Sequence, residues 1–100
     1  MDKSKPLHDL EKVKSLICDG EYRTTFVALA GAKLLGFKTE TEIGQFLLTL
    51  ERRNFYKSTT NNQNHKEWQD VYHATAPNRK LIYIKFTVKE GVLVLSFKEK

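Results

Sequence analysis

Leu7, Leu10, Val13, Leu16 and Ile17 recur at helical spacing, which predicts a helix from Leu7 to Cys18 with Pro6 in its first turn and Gly20 as its terminator. Thr25 reads as the N-cap of a second helix, Phe26 to Leu35, which Gly31 weakens and Gly36 ends. Thr39 and Glu42 make a capping box ahead of the stripe Ile43, Phe46, Leu47 and Leu50, and Arg52 and Arg53 suit the negative end of that third helix. After Asn54 the period changes to alternation in β-branched and aromatic residues. Four strands are predicted, Phe55 to Thr60, Trp68 to Thr75, Leu81 to Val88 and Val92 to Phe97, and the short turns between them favour an antiparallel meander.

The expected architecture is α+β, one domain over residues 1–100, with helices within about 6–53 packed on one face of antiparallel strands within about 55–98. Alternation sorts the last two strands. Ile82, Ile84, Phe86, Val88, Leu93, Leu95 and Phe97 can meet the helices, leaving Tyr83, Lys85, Thr87, Ser96 and Lys98 on a polar, basic face.

Charge sharpens this picture. Residues 1–51 hold seven Lys or Arg against eight Asp or Glu, whereas residues 52–100 hold ten against four, so the net charge of +5 belongs to the strands. A basic sheet face of this kind concentrates polyanions, nucleic acid first among them. A single cysteine, Cys18, cannot form an intrachain disulfide and is expected to act as a small apolar residue, and no Cys or His spacing suggests a metal site. Neither a signal peptide nor a run of membrane-spanning length is found, so cytoplasmic residence, no membrane partner and no cofactor are expected.

RNA can be cut without metal if a base assists attack of the 2′-hydroxyl on the adjacent phosphorus, an acid protonates the leaving 5′-oxygen, and cations stabilise the phosphoryl oxygens. Lys, Tyr, Gln, His and Arg can fill these roles. An unperturbed histidine changes charge near neutrality, which draws attention to His65 and His73, and of the two His65 is kept as a candidate. Trp68 is expected to pack rather than stack on a base.

The segments Phe55-Tyr56-Lys57-Ser58, Trp68-Gln69-Asp70-Val71-Tyr72, Tyr83-Ile84-Lys85 and Val94-Leu95-Ser96-Phe97-Lys98-Glu99-Lys100 closely resemble the MqsR family of bacterial toxins. Val13-Lys14 and Arg23-Thr24-Thr25 with Ala28-Leu29 extend the resemblance over nearly the whole chain. It implies a RelE-like fold, with helices on one sheet face and RNA on the other. It further implies a toxin that cuts single-stranded mRNA at short GC-containing sites, chiefly GCU, without the ribosome. Its partner would be a zinc-containing, MqsA-like antitoxin with a helix-turn-helix DNA-binding domain.

Carried over by position, the resemblance places the catalytic group on Lys57, Gln69 and Tyr83. Lys57 would contact or stabilise the scissile phosphate. Tyr83 would serve in proton transfer or stack on a base, and Gln69 would orient the phosphate or read a base edge. Lys85, Lys98, Tyr56 and His65 are the accompanying RNA-binding candidates. The chain departs from the family pattern at Thr59, where methionine is expected, and at the Lys89-Glu90 turn, where histidine is expected, and both bear on base preference. Two rival functions use the same face: a non-catalytic nucleic-acid-binding module, and a domain that meets an acidic protein.

Overall fold

The computed structural model describes residues 2–60 and 66–99, the last two by backbone alone. Three helices cover one face of a six-stranded sheet whose order is β1-β3-β4-β5-β6-β2. The strands are β1 (Asp2–Lys3), β2 (Tyr22–Thr24), β3 (Phe55–Thr60), β4 (Trp68–Thr75), β5 (Leu81–Lys89) and β6 (Val92–Glu99), and the helices are α1 (Leu10–Cys18), α2 (Phe26–Ala32) and α3 (Glu40–Leu47). Among the described residues no helix is long and apolar enough to cross a membrane.

The predicted meander forms the centre of the sheet: β3, β4, β5 and β6 pair antiparallel in sequence order. Glu90 and Gly91, at φ 51° and 77°, close the β5–β6 hairpin, both in the left-handed region that a two-residue turn matching strand twist requires. Two strands were not predicted. β1 adds antiparallel to β3, and β2 adds parallel to β6, so the sheet is not wholly antiparallel. Both are too short to show a period, and each exists because an edge strand offers it unpaired backbone groups.

The helices begin and end where local hydrogen bonds decide. α1 starts at Leu10, not Leu7, because Asp9 caps it by accepting from the Glu11 N–H at 3.1 Å. The preceding Leu7 and His8 N–H groups donate instead to the two oxygens of Asp70, at 2.8 and 2.9 Å. These two bonds to the Asp70 side chain take the place of the carbonyl acceptors that a further helical turn would offer. Thr25 and Thr39 are N-caps as expected, accepting from Ala28 and Glu42 N–H groups. The Glu42 carboxylate reaches back to the Lys38 N–H rather than to Thr39. α2 passes into a 3-10 turn, Lys33–Leu35, and Gly36 ends it at φ 98°. α3 stops at Leu47, and Arg52 and Arg53 belong to a separate 3-10 turn, Arg52–Asn54, so they do not cap it. Short-range bonds from Thr49 to Phe46 and from Leu50 to Leu47 tighten the chain there and bury Leu50. Cys18 is exposed at the end of α1 and contributes nothing to the core.

The core lies between the helices and one sheet face. Val13 and Ile17 of α1 and Ile43 and Leu47 of α3 meet Tyr72, Ile82, Ile84, Phe86, Leu93 and Leu95, all nearly inaccessible to solvent. Burial of this apolar surface is the main stabilising contribution to the fold. The predicted apolar face of β5 and β6 therefore holds, with Val88 and Phe97 packed at the margin, whereas Thr87, expected on the open face, is buried and the Lys98 side chain lies outside the description. Trp68 stays outside this cluster and is covered by Lys3, whose ammonium lies 4.1 Å from the ring centroid, a packing role.

Candidate active site

A regular strand would put Phe55 and Lys57 on the same side of the sheet. They are on opposite sides because the β3–β4 register shifts between them: Phe55 pairs with Tyr72, Lys57 pairs with Val71, and Tyr56 is the extra residue of a bulge. Phe55 consequently packs on the core ring of Tyr72, at 5.5 Å between centroids, while both Tyr56 and Lys57 reach the open face. Beyond the bulge Ser58 turns inward, donating its hydroxyl to Asp70 at 2.8 Å. Asp70 thus accepts from Ser58, Leu7 and His8 while fully buried, which anchors β3, β4 and the amino-terminal segment to one another.

The open face is then ordered in rows across the strands. One row runs Lys57, Val71, Lys85, Ser96, and the next runs His73, Tyr83, Lys98. Gln69 faces Thr59 one step further along β4. Val71, buried to 2 % exposure, is the apolar floor between the two lysines, which sit two strand spacings or about 10 Å apart.

Lys57, Gln69 and Tyr83, on three successive strands, all line one cleft of about 700 Å³, together with Tyr56 and Lys85. The predicted catalytic group is therefore brought together, and so are two of its four companions. Lys98 is placed by backbone register opposite Tyr83, and His65 lies outside the described residues. The far wall was missed from sequence: Thr25, Val27 and Ala28, at the start of α2, reach the cleft beside Ser96 and Phe97. Val27 is 81 % exposed and reaches the cleft because α2 lies beside β6. Its one sequence signal is the absence of a polar residue between Phe26 and Leu29.

The charged side chains lining the cleft are Lys57 and Lys85, and an acidic group outside the lining pairs with the first of them. The Lys57 ammonium donates to the Asp2 carboxylate of β1 at 3.2 Å. Hydrogen bonds from Thr59 and Lys57 hold that carboxyl below the usual aspartate range. Among the described residues no group of three or more His, Cys, Asp or Glu could hold a metal ion. The groups at hand supply cation stabilisation, phenol proton transfer and amide hydrogen bonding.

The described structure is thus a small α+β domain, a helix-backed sheet whose open face gathers lysines, a phenol and an amide in one cleft. The comparisons with known proteins make this specific. Residues 5–99 match the family described as "Motility quorum-sensing regulator, toxin of MqsA". The chain is 39% identical to the mRNA interferase toxin MqsR of Escherichia coli (strain K12) over 100 residues, covering 100% of each. It belongs to the MqsR toxin family and is, like that family, a ribonuclease toxin.

Proposed function

We propose that this toxin cuts single-stranded mRNA at short GC-containing sites, chiefly GCU, acting in the cytoplasm without metal and without the ribosome, and so stops translation. The observation that carries the reading is the convergence of Lys57, Gln69 and Tyr83, from three strands, on one basic cleft. An RNA strand laid across the sheet places its phosphates along the lysine row. The 2′-oxygen attacks the adjacent phosphorus, its proton leaves to a base, and the bond to the 5′-oxygen breaks as that oxygen is protonated. Products are a 2′,3′-cyclic phosphate and a 5′-hydroxyl. Lys57 stabilises the charge that builds on the phosphoryl oxygens. Tyr83 takes part in proton transfer or holds a base, and Gln69 orients the phosphate or reads a base edge. Lys85 and Lys98 bind flanking phosphates, and Tyr56 offers its half-exposed ring to a base. The neutralising partner is an MqsA-like antitoxin that carries zinc and a helix-turn-helix DNA-binding domain.

The test is incubation of the purified chain with a defined transcript in excess chelator, with mapping of new 5′ ends and analysis of the 3′ terminus. Cleavage at GC-containing triplets with a cyclic phosphate is expected. An intact transcript bound by the protein would identify a non-catalytic binding module instead, and activity lost in chelator and restored by magnesium would require a metal-activated nucleophile. One 2′-deoxy substitution on the 5′ side of the cut should abolish cleavage while leaving binding, because only the attacking group is removed.

A further inference from the structure

His73 takes no part in the reaction described above, yet it belongs to a cluster of three aromatic rings beside the cleft. It is the cross-strand partner of Tyr83, with ring centroids 4.8 Å apart and planes inclined by 58°. It also packs against Tyr56, centroid to centroid 4.3 Å with planes inclined by 31°. Tyr56 and Tyr83 are themselves near-parallel at 6.2 Å. Both tyrosines line the cleft, whereas His73 does not.

The bulge at Tyr56 is what makes this arrangement possible, since it brings that ring onto the open face beside a residue of β4. A phenol on an open sheet face has two free torsions and no neighbour above it. Catalytic groups must instead be held within about 0.5 Å and 10–20° of their working geometry, and a misplacement of about 1 Å can cost 10²-fold in rate. A flat ring touching both phenols removes those torsions from each at once.

We propose that His73 is a positioning residue, a ring packed against both Tyr56 and Tyr83 that presets the two phenols at the cleft before RNA binds. The proposal rests on the reading of Tyr83 as a residue of the active site. His73 contributes its planar shape, so another ring of similar size serves in its place, whereas a side chain without a ring does not.

The experiment is single-turnover cleavage of an oligonucleotide with one cut site by His73→Ala, His73→Phe, Tyr83→Phe and the double variant His73→Ala with Tyr83→Phe, all below their unfolding temperatures. His73→Ala should lower the maximal rate about tenfold, and His73→Phe should return it to within about threefold of the parent. Because His73 acts in part through Tyr83, the double variant should lose less than the product of the two single losses, a coupling that a merely structural role would not produce. If His73→Ala does not fold, His73→Gln, similar in size but without a ring, takes its place under the same criteria. The proposal is overturned if the ringless variant cuts within twofold of the parent, if His73→Phe is as slow as the ringless variant, or if the two losses multiply in the double variant. Parental activity of Tyr83→Phe would instead overturn the assignment of Tyr83, whatever His73 does.

Discussion

The Lys57 ammonium meets the Asp2 carboxylate at 3.2 Å, so the edge strand β1 holds an acidic group at the place where the proposed mechanism needs a phosphate. Both side chains are partly exposed, and solvent-screened ion pairs of this kind contribute little to stability. A phosphate can displace the carboxylate, at a small cost. Asp2→Asn is therefore expected to lower KM for RNA about two- to fivefold at low salt with kcat unchanged. Steady-state cleavage over a range of oligonucleotide concentrations measures both, and a fall in kcat would show that Asp2 holds Lys57 in its working position.

Lys57→Ala and Tyr83→Phe should each lower single-turnover cleavage by about 10²- to 10⁴-fold, the usual loss for a charge-stabilising or proton-transfer group. Gln69→Ala should cost less, since orientation survives in part through the other contacts. None of the three side chains belongs to the apolar core, so thermal unfolding should change little. Cleavage and unfolding measured side by side separate a chemical role from a structural one. Near-parental cutting by both Lys57→Ala and Tyr83→Phe would remove the site.

Asp70 lies next to Gln69 in sequence but faces the other way, fully buried beneath Leu7, His8 and Ser58. Asp70→Ala removes the acceptor of three hydrogen bonds and leaves buried donors without partners. A loss of about 3–5 kcal/mol in folding stability is expected, read from urea unfolding, with release of the segment before α1 visible as faster amide exchange at Leu7 and His8. Asp70→Asn keeps part of the acceptor set and should lose less.

Tyr72 is completely buried, and its hydroxyl has no hydrogen-bond partner among the described residues. Burial first, and the Asp70 charge second, raise its phenol from 10.0 to about 12. The fold thus favours the protonated form: this stabilising contribution is intact below pH 10 and is lost as pH rises from 10 towards 12. Tyr72→Phe removes both the orphan hydroxyl and the titration. Its unfolding temperature should equal or exceed the parent's at pH 8 and should fall less between pH 9.5 and about 11.5, as thermal scans across that range would show.

Much of this protein was determined locally. The apolar stripe of α3, the caps Thr25 and Thr39, and the alternation from Ile82 to Phe97 each report a face of a single element, and a period is visible without knowing what packs against it. The resemblance carried by the segments around Lys57, Gln69 and Tyr83 likewise lies in the order of residues along the chain. Alternation alone could not say that Lys57 and Tyr56 share the open face. Phe55 and Lys57 have the same parity, and only the pairing of β3 with β4, which satisfies Phe55 against Tyr72 and Ser58 against Asp70, forces the extra residue at Tyr56. The same holds for β1, β2 and the chain before α1, whose conformations are set by unpaired strand edges and by a buried carboxylate far away in sequence. It holds too for α2, whose residues Val27 and Ala28 became a wall of the cleft. Periodicity encodes which side of an element is apolar. Which backbone groups remain to be satisfied, and by which distant partner, is decided only when the elements meet, and that decision places Tyr56, His73 and Asp2 around the residues that the sequence had already singled out.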